Sequence, residues 1–252
     1  MILGVVSPSL FSEDFKRFVD LIHNEDVVVE VRFATLDEFT QTSLISLVDV
    51  FDYLDMLDVK VLRLPRLENY VGCELRELIE KAIMIADDIG AKFLIIPYSA
   101  SHIPHLKKLV SEIYRELLEY GKTLCFEPGF DNFTSLDTVL SFMKYLDEEY
   151  SQSPFAISYD IGSSYDRPVL NDIFDLISYL RIIHVCNVTS NGRRIPLFKS
   201  NGEINPYELL NFLLESRYTE YLLLSYEIDF IHTYISDIFR IKQYVISYFE
   251  RI

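Results

Sequence analysis

The sequence predicts an α/β protein: a single-domain (β/α)8 TIM barrel that takes up residues 1–252. Three observations predict it. Short apolar runs rich in β-branched residues alternate with longer segments of helical spacing, eight times along one chain. The runs are nearly continuous in apolar residues, as expected for parallel strands buried on both faces. No Gly-rich phosphate turn follows the first run, which argues against a doubly wound open sheet with the same alternation.

Taken in order, Ile2 to Ser7 reads as the first strand, and Ser12-Glu13-Asp14 opens a helix with Phe15, Phe18, Val19 and Ile22 on one face. Val27 to Phe33 is the second strand; helical spacing returns at Leu44, Leu47, Val48 and Phe51 before a strand from Val59 to Leu64, stopped by Pro65. From Glu74 to Ile89 the apolar stripe is that of a helix, ended by Gly90. Lys92 to Pro97 follows as a strand, Pro104 to Tyr120 as a helix ended by Gly121, and Thr123 to Glu127 as a strand. A helix near Leu136 to Tyr145, a strand Phe155 to Asp160, a helix Leu170 to Tyr179 and a strand Arg181 to Cys186 continue the pattern. After a long polar loop come a helix at Pro206 to Leu214, a last strand Tyr221 to Glu227, and a closing helix marked by Ile231, Ile235, Ile238 and Val245.

Composition bounds the function. Half the chain is hydrophobic and a quarter charged, which is globular rather than disordered. A net charge of −16, from 39 acidic against 23 basic residues, argues against broad binding to nucleic acid or anionic lipid. Cys73, Cys125 and Cys186 are few, odd in number and scattered, so no disulfide framework is expected. With no apolar run long enough for a membrane span and no basic leader, the expected location is the cytoplasm. Homo-oligomerisation is left open.

Barrel function collects at the C-terminal strand ends. Three such ends carry a carboxylate, Glu127, Asp160 and Glu227, and a fourth carries His184. Carboxylates converging on one mouth repel one another and lose hydration. Either their pKa values rise or a divalent cation neutralises them, and a neutral imidazole beside them favours the cation. Three oxygen donors and one nitrogen suit Mn2+, Mg2+, Co2+ or Zn2+. The loop from Asn187 to Gly202 holds Arg193, Arg194 and Lys199 and no acid, which suits an anionic or polyhydroxyl substrate above the metal. Tyr98 and Ser99 follow the fourth strand as pocket candidates. Glu30, Arg32 and Arg63 are interior positions open to substrate contact, with a buried ion pair closing the barrel bottom the preferred reading, and Cys186 has no partner base that would make it a nucleophile.

The order Glu127, Asp160-Ile161-Gly162, His184 and Glu227 resembles the xylose isomerase-like barrel superfamily, which holds sugar isomerases and epimerases, hydroxypyruvate isomerase, inosose dehydratase and endonuclease IV. Asn191-Gly192-Arg193-Arg194-Ile195-Pro196 and Gly202-Glu203-Ile204-Asn205 are similar to its arginine loop and following signature, and Glu30 and Gly90-Ala91-Lys92 match its layout. The resemblance implies that Glu127, Asp160, His184 and Glu227 bind one divalent metal ion, Mn2+ foremost. It further implies that Glu127 and Glu227 serve as acid and base on a sugar, sugar phosphate or small polyol, through an enediolate. Arg193, Arg194, Tyr98, Ser163 and Lys199 are then the expected substrate contacts. Ser163 stands where the superfamily often has a histidine. The further histidines of a trinuclear zinc centre are missing, so an endonuclease-like phosphoesterase on DNA with a reduced metal centre is the second reading. A non-catalytic ligand-binding barrel is the third, and a dehydratase using the same chemistry remains open.

Overall fold

A computed structural model describes residues 1–42, 44–67, 73–98, 103–129, 135–164, 166 and 168–251. Eight parallel strands close into a barrel in the order β1 (Ile2–Ser9), β10 (Tyr221–Leu224), β7 (Leu180–Val185), β6 (Phe155–Asp160), β5 (Thr123–Pro128), β4 (Phe93–Tyr98), β3 (Asp58–Arg63) and β2 (Val28–Arg32). Closure comes from the first and last of these in sequence: Ile2 pairs with Tyr221 and Val5 with Leu224. Helices α1 (Glu13–Ile22), α3 (Leu44–Leu54), α4 (Cys73–Asp88), α5 (Ile103–Glu119), α6 (Leu136–Glu149), α7 (Val169–Leu176), α8 (Pro206–Glu215) and α9 (Tyr234–Phe249) surround the strands. The predicted barrel is thus the observed one, and Gly90 and Gly121 follow α4 and α5 at φ of +73° and +61°, conformations that cost glycine little.

The core has two compartments because strand side chains alternate. Inward residues such as Val28, Val61, Phe93, Cys125, Ile182 and Leu223 fill the lumen as one cluster. The intervening residues pack outward against the helices in a second, larger cluster. The lumen is tight enough that β1 needs a residue without a side chain: a Cβ at Gly4 would fall 2.5 Å from Leu223 Cδ2 and from Val28 Cγ2.

Three details depart from the sequence reading. An additional helix, α2 (Leu36–Gln41), precedes α3. Its signal is the capping box Thr35-x-x-Glu38: the Thr35 side chain accepts from Glu38 N–H at 3.1 Å, and Glu38 Oε2 accepts from Thr35 N–H at 3.4 Å. The polar loop after β7 carries a small antiparallel pair, β8 (Asn187–Val188) and β9 (Arg194–Ile195), turned through Gly192 at φ +78°. The last barrel strand stops at Leu224, although Ser225 N–H still donates to Val185 O, so Glu227 stands beyond the ladder. Among the described residues no helix is long and apolar enough to cross a membrane.

Gly4→Ala is expected to destabilise the fold by about 1–3 kcal/mol through overpacking of the lumen. Chemical denaturation measures this, and an unchanged midpoint would show that Val28 and Leu223 yield freely.

Candidate active site

Alternation along parallel strands assembles the site. Glu30, Arg63, Glu127, Ser158 and His184 each lie two residues beyond a lumen residue (Val28, Val61, Cys125, Ala156 and Ile182), and Arg32 and Asp160 lie four beyond Val28 and Ala156. All seven therefore share the inward face near the C-terminal ends of their strands. Register fixes the neighbours: Asp160 is opposite His184, and Arg32 is opposite Arg63.

These groups pair with one another in a definite pattern. Both carboxylate oxygens of Glu127 accept from the Arg63 guanidinium, a two-pronged ion pair. His184 Nε2–H donates to Glu30 Oε2 at 2.6 Å, and its Nδ1 lies 3.3 Å from Ser158 Oγ and 3.4 Å from Glu127 Oε2. Asp160 Oδ1 accepts from Gly162 N–H at 2.9 Å, and its Oδ2 accepts from Ser163 Oγ at 3.1 Å and Arg194 Nη2 at 2.5 Å. Gly162 makes room for that guanidinium, because a Cβ there would sit 3.0 Å from Arg194 Cζ. Arg194 also donates to Ser163 Oγ and Ser225 Oγ. At the rim, Arg193 donates to Glu227 at 2.9 Å and Asp229 at 3.1 Å.

The β8–β9 pair positions the two arginines, and Asn187 anchors it. The buried Asn187 side chain donates to Leu197 O and Ile204 O and accepts from Val188 N–H and Ile204 N–H. A second tie is Tyr226, whose hydroxyl accepts from Leu197 N–H and donates to Asp237 Oδ2 at 2.7 Å.

Electrostatics follow from burial against pairing. Burial pushes the Glu127 carboxyl up, but the Arg63 charge and the hydrogen bond from His184 outweigh it and hold Glu127 well below the usual carboxylate range. Burial pulls His184 down, yet Glu30, seconded by hydrogen bonds to Glu127 and Glu30, raises it to about 9. His184 is therefore an imidazolium at neutral pH. Arg32 goes the other way: burial lowers it, and the like charges of Arg63 and Arg194 add to that, while Glu30 opposes. Burial also pushes the Cys186 thiol up to about 12, which leaves it a poor nucleophile.

The mutual repulsion expected of the carboxylates is thus real, but arginine relieves it. Glu30, Arg32 and Arg63 stand at the mouth and not the bottom, because β2 and β3 end there; Glu30 pairs with His184, and Arg63 with Glu127. The donor chemistry of Glu127, Asp160, His184 and Glu227 suits a divalent cation. Their arrangement does not fit one: each carboxylate is engaged by a guanidinium, and His184 is held by Glu30. Among the described residues no three of His, Cys, Asp and Glu are gathered to hold a metal ion.

The other candidates divide. Arg194 and Ser163 join the inner mouth, and Arg193 joins the rim. Lys199 is also at the rim, its Nζ 4.6 Å from the centre of the Phe230 ring. Tyr98 is a correction: it is buried facing the helices, edge-on to Phe126 at 5.8 Å and near Phe142, because Pro97 and not Tyr98 shares the inward face with Phe93 and Ile95. Ser99 lies outside the described residues.

No protein-family model and no curated protein sequence matches the chain. Solved structures do. A D-tagatose 3-epimerase-like protein superposes with a TM-score of 0.76 at 17% identity, over 100% of this chain and 99% of that one. The IolI protein with a binding zinc atom gives 0.67 at 13% identity, over 98% and 97% of the two chains. The 3-keto-D-glucoside 4-epimerase YcjR from E. coli gives 0.66 at 15%, over 96% and 99%. At these identities the likeness is one of fold, the closed eight-stranded parallel barrel with its surrounding helices.

Two outcomes follow from the pairs. Arg63 competes with any cation for the Glu127 lone pairs, so Arg63→Met is expected to tighten Mn2+ binding roughly tenfold; elemental mass spectrometry across a Mn2+ titration measures it, and equal loading in both proteins would refute the competition. The raised His184 pKa stabilises the fold in full below about pH 6.5, and that contribution is lost as pH rises through about 9. It is on the order of 3 kcal/mol. Melting temperatures from pH 6 to 10, wild type beside His184→Gln, should therefore converge toward the alkaline end; parallel curves would remove the imidazolium from the account.

Proposed function

We propose that the chain is an isomerase or epimerase of a small polyhydroxyl substrate, a sugar or a sugar derivative, which moves a carbon-bound proton next to a carbonyl at the barrel mouth. The observation that carries this reading is the inner cluster itself: an imidazolium and two guanidinium groups, His184, Arg63 and Arg194, held by buried carboxylates beside Glu227 at the rim. Proton removal leaves an electron pair that moves onto the carbonyl oxygen, and N–H donors already in place stabilise that oxyanion without reorganising.

Roles divide by exposure and pairing. Glu227, whose side chain is 39% exposed and, among the described residues, tethered only to Arg193, is open to substrate and acts as the base. Glu127, buried and locked by Arg63, orients that guanidinium, and the His184 imidazolium beside it is the acid side of the site. Arg194, fixed by Asp160, Ser163 and Ser225, contacts the substrate oxygens. The similar structures supply support from their own names, as proteins described as 3-epimerase-like or as a 4-epimerase of sugars. The divalent cation that the resemblance implies, Mn2+ foremost, has no step in this reading, because its expected ligands are engaged by Arg63, Arg194, Arg193 and Glu30.

Proton NMR in D2O over a panel of ketoses, aldoses and their acid and phosphate derivatives tests the proposal, with Mn2+ and chelator arms. The expected result is deuterium at one carbon beside the carbonyl together with a new isomer, slowed about 10²–10⁴-fold in Glu227→Gln. Binding without exchange across the whole panel would overturn it in favour of a non-catalytic barrel.

A further inference from the structure

Among the described residues, Arg32 is the inner arginine with no mate. Arg63 is spent on Glu127, and Arg194 on Asp160, Ser163 and Ser225. Among the described residues the Arg32 guanidinium makes no hydrogen bond and no ion pair, although it is half-buried. Its surroundings are unfavourable as they stand. Arg63 is directly opposite in the β2–β3 ladder, and Arg194 adds a second like charge. Glu30, two residues earlier on the same face, gives its Oε2 to His184 instead. Burial is the larger cost to this guanidinium, the like charges of Arg63 and Arg194 add to it and Glu30 opposes it, and an incoming anion would relieve what is left.

The place for that anion is present. Arg32 lines a cavity of about 190 Å³ at the mouth, together with Ser9, Ser12, Asp14, Tyr234 and Glu227. Ser12 precedes α1, but its hydroxyl donates to Ser9 O and gives the helix no side-chain cap; Phe15 N–H donates to Ser12 O, which leaves the Glu13 and Asp14 amides as the first-turn donors. Of the two acids, Glu227 is engaged by Arg193, and Asp14 is half-exposed. Because Glu227 belongs to this cavity and also to the proposed proton-transfer site, a group seated on Arg32 would be part of the reacting molecule.

We infer that the Arg32 cavity is an oxyanion subsite, and that the substrate is a sugar bearing a carboxylate or phosphate group and not a neutral sugar. The inference rests on the proposed isomerase reading for the word substrate, but the subsite itself does not depend on turnover. A planar guanidinium with all its donors open meets two oxygens of either group side by side.

Isothermal titration of D-glucose, D-glucuronate and D-glucose 6-phosphate into wild type, Arg32→Gln and Arg32→Lys tests it, with circular dichroism confirming that the variants fold. Wild type is expected to bind at least one charged member about tenfold or more tighter than glucose. Arg32→Gln should abolish that preference, and Arg32→Lys should keep part of it. Whichever charged member is preferred identifies carboxylate or phosphate as the group. No preference in wild type, whether all three bind or none does, overturns the inference, as does a preference that survives Arg32→Gln. Anion binding through Arg32 with no deuterium exchange would sink the isomerase reading and leave the subsite standing.

Discussion

Charge compensation at the barrel mouth is the constraint on which the rest of this site depends. Parallel strands deliver their C-terminal residues to one small region, and here they deliver Glu30, Glu127 and Asp160 into surroundings poor in water. Buried carboxylates persist only with partners whose geometry satisfies their lone pairs. Arg63 does so for Glu127 with two prongs, Arg194 for Asp160, and His184 for Glu30. Removing one member would strand the opposite charge, so the pairs act as a set.

That network explains why the loop after β7 is built with such care. Arg194 reaches Asp160 only if β9 lies over the end of β6, and β9 lies there because Asn187 uses its whole side-chain amide to tie the loop to Leu197 and Ile204. Gly162 removes the Cβ that would meet the guanidinium. Tyr226 links the same loop to α9 through Asp237, and Tyr234 links back to β1 through Val6 O. The scaffold and the charge network are thus one construction. Arg32 is its exception, being held at the mouth with no such tie among the described residues.

The similar solved structures share this fold across nearly their whole length while sharing fewer than one residue in five. In this chain the frame is layered: apolar lumen residues lie below, and polar groups stand two and four residues further along the same strands. Chemistry on such a frame can change by exchanging single inward residues at strand ends without disturbing the barrel.

The eight strands, the order of most helices and the carboxylates and histidine at the strand ends were legible from the sequence, because periodicity and strand position follow from local backbone geometry. Even α2, which the periodicity reading passed over, had its signature in Thr35 and Glu38. The partners were not legible. Arg63 and Glu127 are separated by 64 positions, and His184 and Glu30 by 154. Which of them meet depends on the register and closure of the barrel, and the sequence reading put Glu30, Arg32 and Arg63 at its opposite end. Tyr98 failed for a related reason, since a shift of one residue moves a side chain from the lumen to the helix layer. The sequence by itself determined which elements form and which chemical groups end the strands; only the tertiary structure decided who neutralises whom, because ion pairing is settled by distance in space and not by spacing along the chain.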